Sequence, residues 1–291
     1  MRAFKLVSAT DSAQAVALLA EHGPGVKVLA GGTDLLVDLK AAPEAPAVVL
    51  DISRAADMKG IAATDAGLRI GALVTHGELT RSPLVRELAP VLAEAARTIG
   101  AVQTRNLGTL GGNLVSGVPS MDSGPALIAL EARVTVAGPR GTRTLGLAEF
   151  FVGPRRTALA PDELLVDVVV PAASLGKPAG FLKSGLRKGQ ALALVNVAAA
   201  LWIDPDRGAF RAPRIALGAV APTVIRAPRA EAYLEGRAVT AEAMAEAGRI
   251  AATEARPIGD FRASADYRRE LVAVLTRRAL AAACDRAEGA Q

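Results

Sequence analysis

The chain has 291 residues, 51% hydrophobic and 22% charged, a globular composition with length for two cores and not that of a disordered chain. Its formal net charge is +5, yet lysine and arginine are scattered and aromatics are only 3%, which argues against nucleic acid as a partner. One cysteine, Cys284, leaves no internal disulfide and no thiolate set for a metal or an iron–sulfur cluster. No apolar run reaches the roughly 18 residues of a membrane span. The opening "MRAFKLVSATDSAQAVALLAEHG" turns polar too early for a signal peptide. A cytoplasmic protein without integral membrane contact is expected.

In chain order, "FKLVSA" reads as a short strand, Thr10-Asp11 as a helix start, and "SAQAVALLAEHG" as a helix ended by Gly23. "VKVLA" is a second strand, the glycine pair after it a turn, "DLLVDLK" a short helix, and "AVVLDIS" a third strand. These form a β-α-β-α-β lobe. From "IAATDAGLRIGALVTHGEL" onward short strands and turns lead into helix, with Ser82 as a cap and Pro83 in the first turn. Pro90 splits or bends "LVRELAPVLAEAARTIG". "ARVTVAGPRGTRTLGLAEFFVG" predicts a hairpin turning at Gly138-Pro139-Arg140-Gly141, and "ELLVDVVVPA" a strand ended by Pro171.

"AASLGKPAG" reads as a linker, with a domain boundary near residue 175. Beyond it, "GFLKSGLRKG", "ALVNVAAALWI" and "APRIALGAVA" predict a three-stranded antiparallel sheet, and helices open on Thr240 and Ser264. In the last helix Leu271, Val274, Leu275 and Ala279 fall on one face, as core packing requires. The expected fold class is α+β. A two-lobed domain covers residues 1–175, with lobes 1–55 and 56–175, and a C-terminal sheet with helices covers 176–291.

Two glycine-rich stretches carry the chemistry: Ala30-Gly31-Gly32-Thr33 and Thr109-Leu110-Gly111-Gly112-Asn113. Glycine permits positive φ and close approach of backbone N–H groups to an anion, so two facing loops could hold a pyrophosphate from both sides. The plain alternative is a pair of tight turns. Neither stretch is a Walker A loop or a G-x-G-x-x-G fingerprint, and the Asp34 carboxylate sits awkwardly beside a phosphate.

"VLAGGTDLLVDLK", "RNLGTLGGNLVSGVPSMDSGPAL", "FFVGPRRTALAPDELLVDVVVP" and "DFRASADYRRELVAVLTRRAL" together resemble the flavin-binding medium subunit of the molybdenum hydroxylases. This is the xanthine dehydrogenase–carbon monoxide dehydrogenase family, and the resemblance runs in order over nearly the whole chain. It implies FAD as cofactor, with its pyrophosphate at Val28, Leu29, Ala30, Gly31, Gly32, Thr33, Asp34 and Leu35, and at Thr109, Gly111, Gly112 and Asn113. Asp122 matches a cofactor-contacting aspartate; by itself it would serve equally as a helix N-cap. Leu165 matches an aliphatic wall of the flavin ring, Ile99 a weaker one, and Lys183 a cation near the cofactor. Pro154 departs from the family where many relatives carry tyrosine, and His22 and His76 match no expected site.

The resemblance further implies an electron-transfer subunit with no general acid or base of its own. Electrons would come from [2Fe–2S] clusters on a small subunit, after substrate oxidation at a molybdopterin on a large one. They would leave for NAD, a quinone or another acceptor, in a dimer of heterotrimers. A stand-alone FAD-dependent oxidoreductase and a non-catalytic assembly subunit are the alternatives.

Overall fold

The computed structural model describes residues 2–289. The first lobe is the expected unit: β1 (Lys5–Ser8), α1 (Ser12–His22), β2 (Lys27–Leu29), α2 (Leu35–Ala41) and β3 (Val48–Asp51). Its strands pair in parallel in the order β1-β3-β2, so each connection must cross over through a helix. Asp11 caps α1 by accepting the Gln14 N–H at 2.8 Å, and Gly23 at φ 76° ends it.

The second lobe begins with β4 (Ile61–Thr64) and β5 (Gly67–Gly71). Six helices follow: α3 (His76–Arg81), α4 (Pro83–Leu88), α5 (Pro90–Arg97), α6 (Val102–Leu107), α7 (Leu110–Ser116) and α8 (Ser123–Ala129). The predicted hairpin is β6 (Arg133–Gly138) and β7 (Gly141–Gly146), followed by α9 (Leu147–Phe150), β8 (Phe151–Gly153), β9 (Arg156–Thr157) and β10 (Leu164–Pro171). The main sheet runs β4-β5-β10-β6-β7, antiparallel throughout. Pro90 splits its helix by opening α5, where its missing N–H costs nothing. The α6 helix and the β8–β9 ribbon are too short for periodicity to announce.

The remaining elements are β11 (Ala179–Gly185), β12 (Ala193–Asp204), β13 (Ala209–Gly218), β14 (Ile225–Arg226), α10 (Pro228–Leu234), α11 (Ala241–Glu254) and α12 (Ala265–Gly289). The sheet has four strands, not the predicted three, because the two-residue β14 pairs with β13 at Ala216 and Leu217. β12 shows no polar alternation because both its faces are covered. Val195, Val197, Ala199 and Leu201 pack with α10, α11 and α12, while Ala198 and Ala200 join the core of the second lobe.

Two expectations need correcting. The buried stripe of α12 runs through Val272, Leu275, Thr276, Ala279, Leu280 and Ala283, whereas Val274 is exposed and Leu271 only half-buried. This helix packs on α11, β11 and β12 together, so its apolar face is wider and rotated from the predicted one. Nor is "AASLGKPAG" a free linker. The Gly176 N–H donates to the Leu88 carbonyl at 2.8 Å, and the buried Lys177 donates its Nζ to the Ala212 carbonyl at 2.6 Å. Both partners are remote in sequence, so linker-like composition could not reveal the pinning. Among the described residues no helix is long and apolar enough to cross a membrane.

Candidate functional site

A cleft of about 420 Å³ opens where the two glycine stretches meet. Val28, Ala30, Gly31, Gly32, Thr33, Asp34 and Leu35 line one side; Thr109, Gly111, Gly112 and Asn113 line the other. Leu29 is the one residue of the first stretch outside the wall. Its side chain turns back onto the loop, 3.0 Å from where a Cβ on Gly32 would sit. The glycines serve close approach. A Cβ on Gly31 would collide with the Leu107 carbonyl oxygen, and one on Gly111 would lie 2.6 Å from the Ala72 Cβ. Gly32 holds φ 73°, a conformation that side chains rarely adopt.

The hydrogen-bond inventory separates the two loops. In the second, the Leu110 N–H donates to Val74, Gly111 to Ala72, Gly112 to the Thr109 hydroxyl at 3.1 Å, and Asn113 to the Thr109 carbonyl. Its backbone donors from Leu110 to Asn113 are committed. In the first, the N–H groups of Gly31, Gly32, Thr33, Asp34 and Leu35 have no acceptor among the described residues. Such a run of open amides at the mouth of a cleft is a nest for an anion. Thr33 adds a hydroxyl with no partner among the described residues. Asn113 accepts the Ser123 hydroxyl on Oδ1 at 2.6 Å, which turns its amide N–H groups free. Asp34 accepts the Ser116 hydroxyl at 3.0 Å, tying the first loop to the end of α7.

The apolar part of the wall comes from Leu164, Leu165 and Ile99. Neighbours in a regular strand face opposite ways, but a bulge in β10 between Leu165 and Asp167 breaks the alternation. Glu163, just before, is chelated by Arg143 through two hydrogen bonds of 2.9 and 2.7 Å. That guanidinium holds the Glu163 carboxyl down at about 2.

Asp122 and Lys183 are not in the cleft wall; they meet each other behind it, 2.5 Å apart at the seam between the second lobe and the C-terminal sheet. Asp122 also accepts the Thr98 hydroxyl at 3.0 Å and the Asn196 amide at 2.7 Å. It makes no capping bond to α8, so the N-cap alternative does not hold. Burial pushes its carboxyl above the ordinary value, opposed by the Lys183 ammonium and by the Asn196 and Thr98 donors. Lys183 donates to the Thr98 carbonyl at 3.2 Å, so the pair grips the residue next to Ile99. Pro154 and Arg155 form the tip of the β8–β9 ribbon, and Arg155 reaches Asp38 on α2 at 3.0 Å beside the cleft.

His76, which the sequence matched to no expected site, is also on the wall. His76 opens α3 behind Thr75, whose capping box with Glu78 predicts a helix start but not which way a ring at that place points. Its direction depends on pairing with the second loop: Thr75 bridges Thr109, and the His76 N–H donates to the Gly108 carbonyl at 3.0 Å.

The sequence matches the family described as FAD binding domain in molybdopterin dehydrogenase over residues 2–173, and CO dehydrogenase flavoprotein C-terminal domain over residues 181–283. The chain belongs to the FAD-binding subunits of the molybdenum hydroxylases. It is 35% identical to the carbon monoxide dehydrogenase medium chain of Hydrogenophaga pseudoflava over 93% of both chains. It is 31% identical to a putative xanthine dehydrogenase FAD-binding subunit of Escherichia coli strain K12, covering 97% of this chain and 96% of that one. The solved carbon monoxide dehydrogenase from H. pseudoflava superposes with a TM-score of 0.93 at 36% identity, over 98% of each chain. Quinoline 2-oxidoreductase from Pseudomonas putida 86 gives 0.91 at 29% identity, again over 98% of each.

An FAD-binding subunit needs donors for a pyrophosphate, no bulk where the backbone approaches it, and an apolar wall for the ring. The open amides of Gly31 to Leu35, the glycines that keep the loops in contact, and the Leu164–Leu165 wall fit that group. This subunit is an oxidoreductase component of α+β fold.

Proposed function

We propose that the cleft between the glycine loops holds FAD, with the amides of Gly31, Gly32, Thr33, Asp34 and Leu35 on its pyrophosphate. The observation that carries this is the run of N–H groups without acceptors among the described residues. Thr33 and Asn113 contribute side-chain donors, Val28 and Ala30 shape the floor, and Thr109, Gly111 and Gly112 act by fixing the second loop. Leu165 and Ile99 supply the apolar surface for the flavin ring, and Lys183, held by Asp122, brings a cation to the Ile99 end.

Bound FAD supplies one- and two-electron redox chemistry, which is the cofactor's own. The chain's residues bind it, orient it and exclude water along one side. In this reading electrons arrive from [2Fe–2S] clusters on a small partner subunit and leave for NAD, a quinone or another acceptor. Molybdopterin sits on a large partner, in a dimer of heterotrimers within the cytoplasm. The boundary near residue 175 divides the FAD-binding domain from the C-terminal one.

Full-length protein purified with excess FAD is expected to keep flavin absorbance bands after desalting, alone or with its copurified partners. Flavin absent from both preparations would sink this reading. A small and a large subunit should copurify, and their absence would remove the partner assignment alone.

A further inference from the structure

His76 is 2% exposed, yet its ring borders the cleft. Nδ1 is enclosed with no hydrogen-bond partner among the described residues. Nε2 is the ring nitrogen that is not enclosed in this way. An open Nε2 on a ring that borders the cleft can take its partner from whatever fills the cleft, while the enclosed Nδ1 is the acceptor of the Nε2–H tautomer. The ring lies where the two loops join. A Cβ on Gly108 would be 3.5 Å from the His76 Cδ2 and 3.3 Å from the Thr33 hydroxyl oxygen, so ring and hydroxyl flank the same glycine.

The surroundings also fix its charge. Burial, with the nearby Arg105 guanidinium, pushes the imidazole down to about 4. At neutral pH the ring is therefore uncharged and carries one N–H. A neutral imidazole with one donor supplements an amide nest without adding a cation that would need burial of its own.

We propose that His76 is a further cofactor contact, donating the hydrogen bond of its Nε2–H to an anionic phosphate oxygen of FAD beside Thr33. The assignment rests on the cleft being the FAD site. The ring is placed by the Thr75–Thr109 bridge and the bond to Gly108, so it reports on how the two loops are clamped. It explains why a helix whose start is already capped carries a buried polar ring at its first position.

The test is nitrogen NMR with flavin titration on the full-length chain. The protein has two histidines, His22 and His76, so His22→Gln assigns the His76 signals. The expected spectrum shows the Nε2–H tautomer, with that nitrogen shifting when FAD is added. An unchanged His76 signal at saturating FAD overturns the proposal, because a trapped water would then be the partner. His76→Met, which keeps length and removes the donor, should weaken FAD binding about tenfold; His76→Gln should restore it to within about threefold of wild type. Equal affinity of His76→Met and wild type also overturns it, and a His76→Met chain that fails to melt cooperatively leaves the NMR result to decide. Gly32→Val separates the two levels: loss of FAD there with full binding in His76→Met removes the His76 role alone. Normal FAD content in Gly32→Val removes the cleft assignment and His76 with it.

Discussion

The loop from Ala30 to Asp34 and the loop from Thr109 to Asn113 carry the same Gly-Gly signature on opposite walls of one cleft. In the first, successive amides have no acceptor among the described residues; in the second, the amides from Leu110 to Asn113 are already bonded, two of them to residues 72 and 74 at the end of β5. The first loop is a receptor surface. The second is a joint that holds a helix start against a strand end and presents the Asn113 side chain. Glycine serves both purposes, since missing Cβ atoms allow an anion to approach in one case and another backbone in the other.

The largest expected effect is at the receptor loop. Gly31→Ala drives a methyl into the Leu107 carbonyl, and with the amides displaced, FAD affinity should fall roughly 100-fold or more by flavin-fluorescence titration. Undiminished affinity there would erase the distinction between the loops. Asn113→Ala removes the free side-chain donor of the joint and should cost about five- to tenfold in the same titration, near the value of a single hydrogen bond. A loss as large as that of Gly31→Ala would mean that the second loop is also a receptor. Gly112→Ala is expected to be mildest for the cofactor. Its methyl meets only the Thr109 hydroxyl, 2.9 Å away, so the change perturbs a helix cap. That predicts a destabilisation of about 1 kcal/mol, read as a melting point lower by about 2–4 °C, with FAD affinity within about threefold of wild type. Loss of flavin without loss of stability would reverse the roles assigned to the two loops.

Local chemistry made much of this protein readable in one dimension. The β-α-β-α-β lobe follows from apolar runs punctuated by Asp11, Gly23 and the first glycine pair, and the split at Pro90 follows from a missing N–H. The 138–141 turn and the helix cap at Thr240 read directly as well. Elements below periodicity did not: α6, the β8–β9 ribbon and the edge strand β14. The α12 stripe was misplaced because its width depends on how many neighbours cover it. In the site, the loop residues and Leu165 stand on the cleft wall where the resemblance pointed, while Leu29 turns away. Asp122 and Lys183 found each other across the seam, a pairing of residues 61 apart in sequence.

The sequence by itself determined the fold class, the order of the elements, the two loops and the family, because caps, turns and glycine permissions act over a few residues. Only the tertiary structure decided which loop keeps its amides open, that Leu164 and Leu165 both stand on the cleft wall, and that His76 borders the cleft. The reason is physical: a backbone donor is free or spent according to what lies opposite it, and for these loops that is a strand end dozens of residues away in the chain.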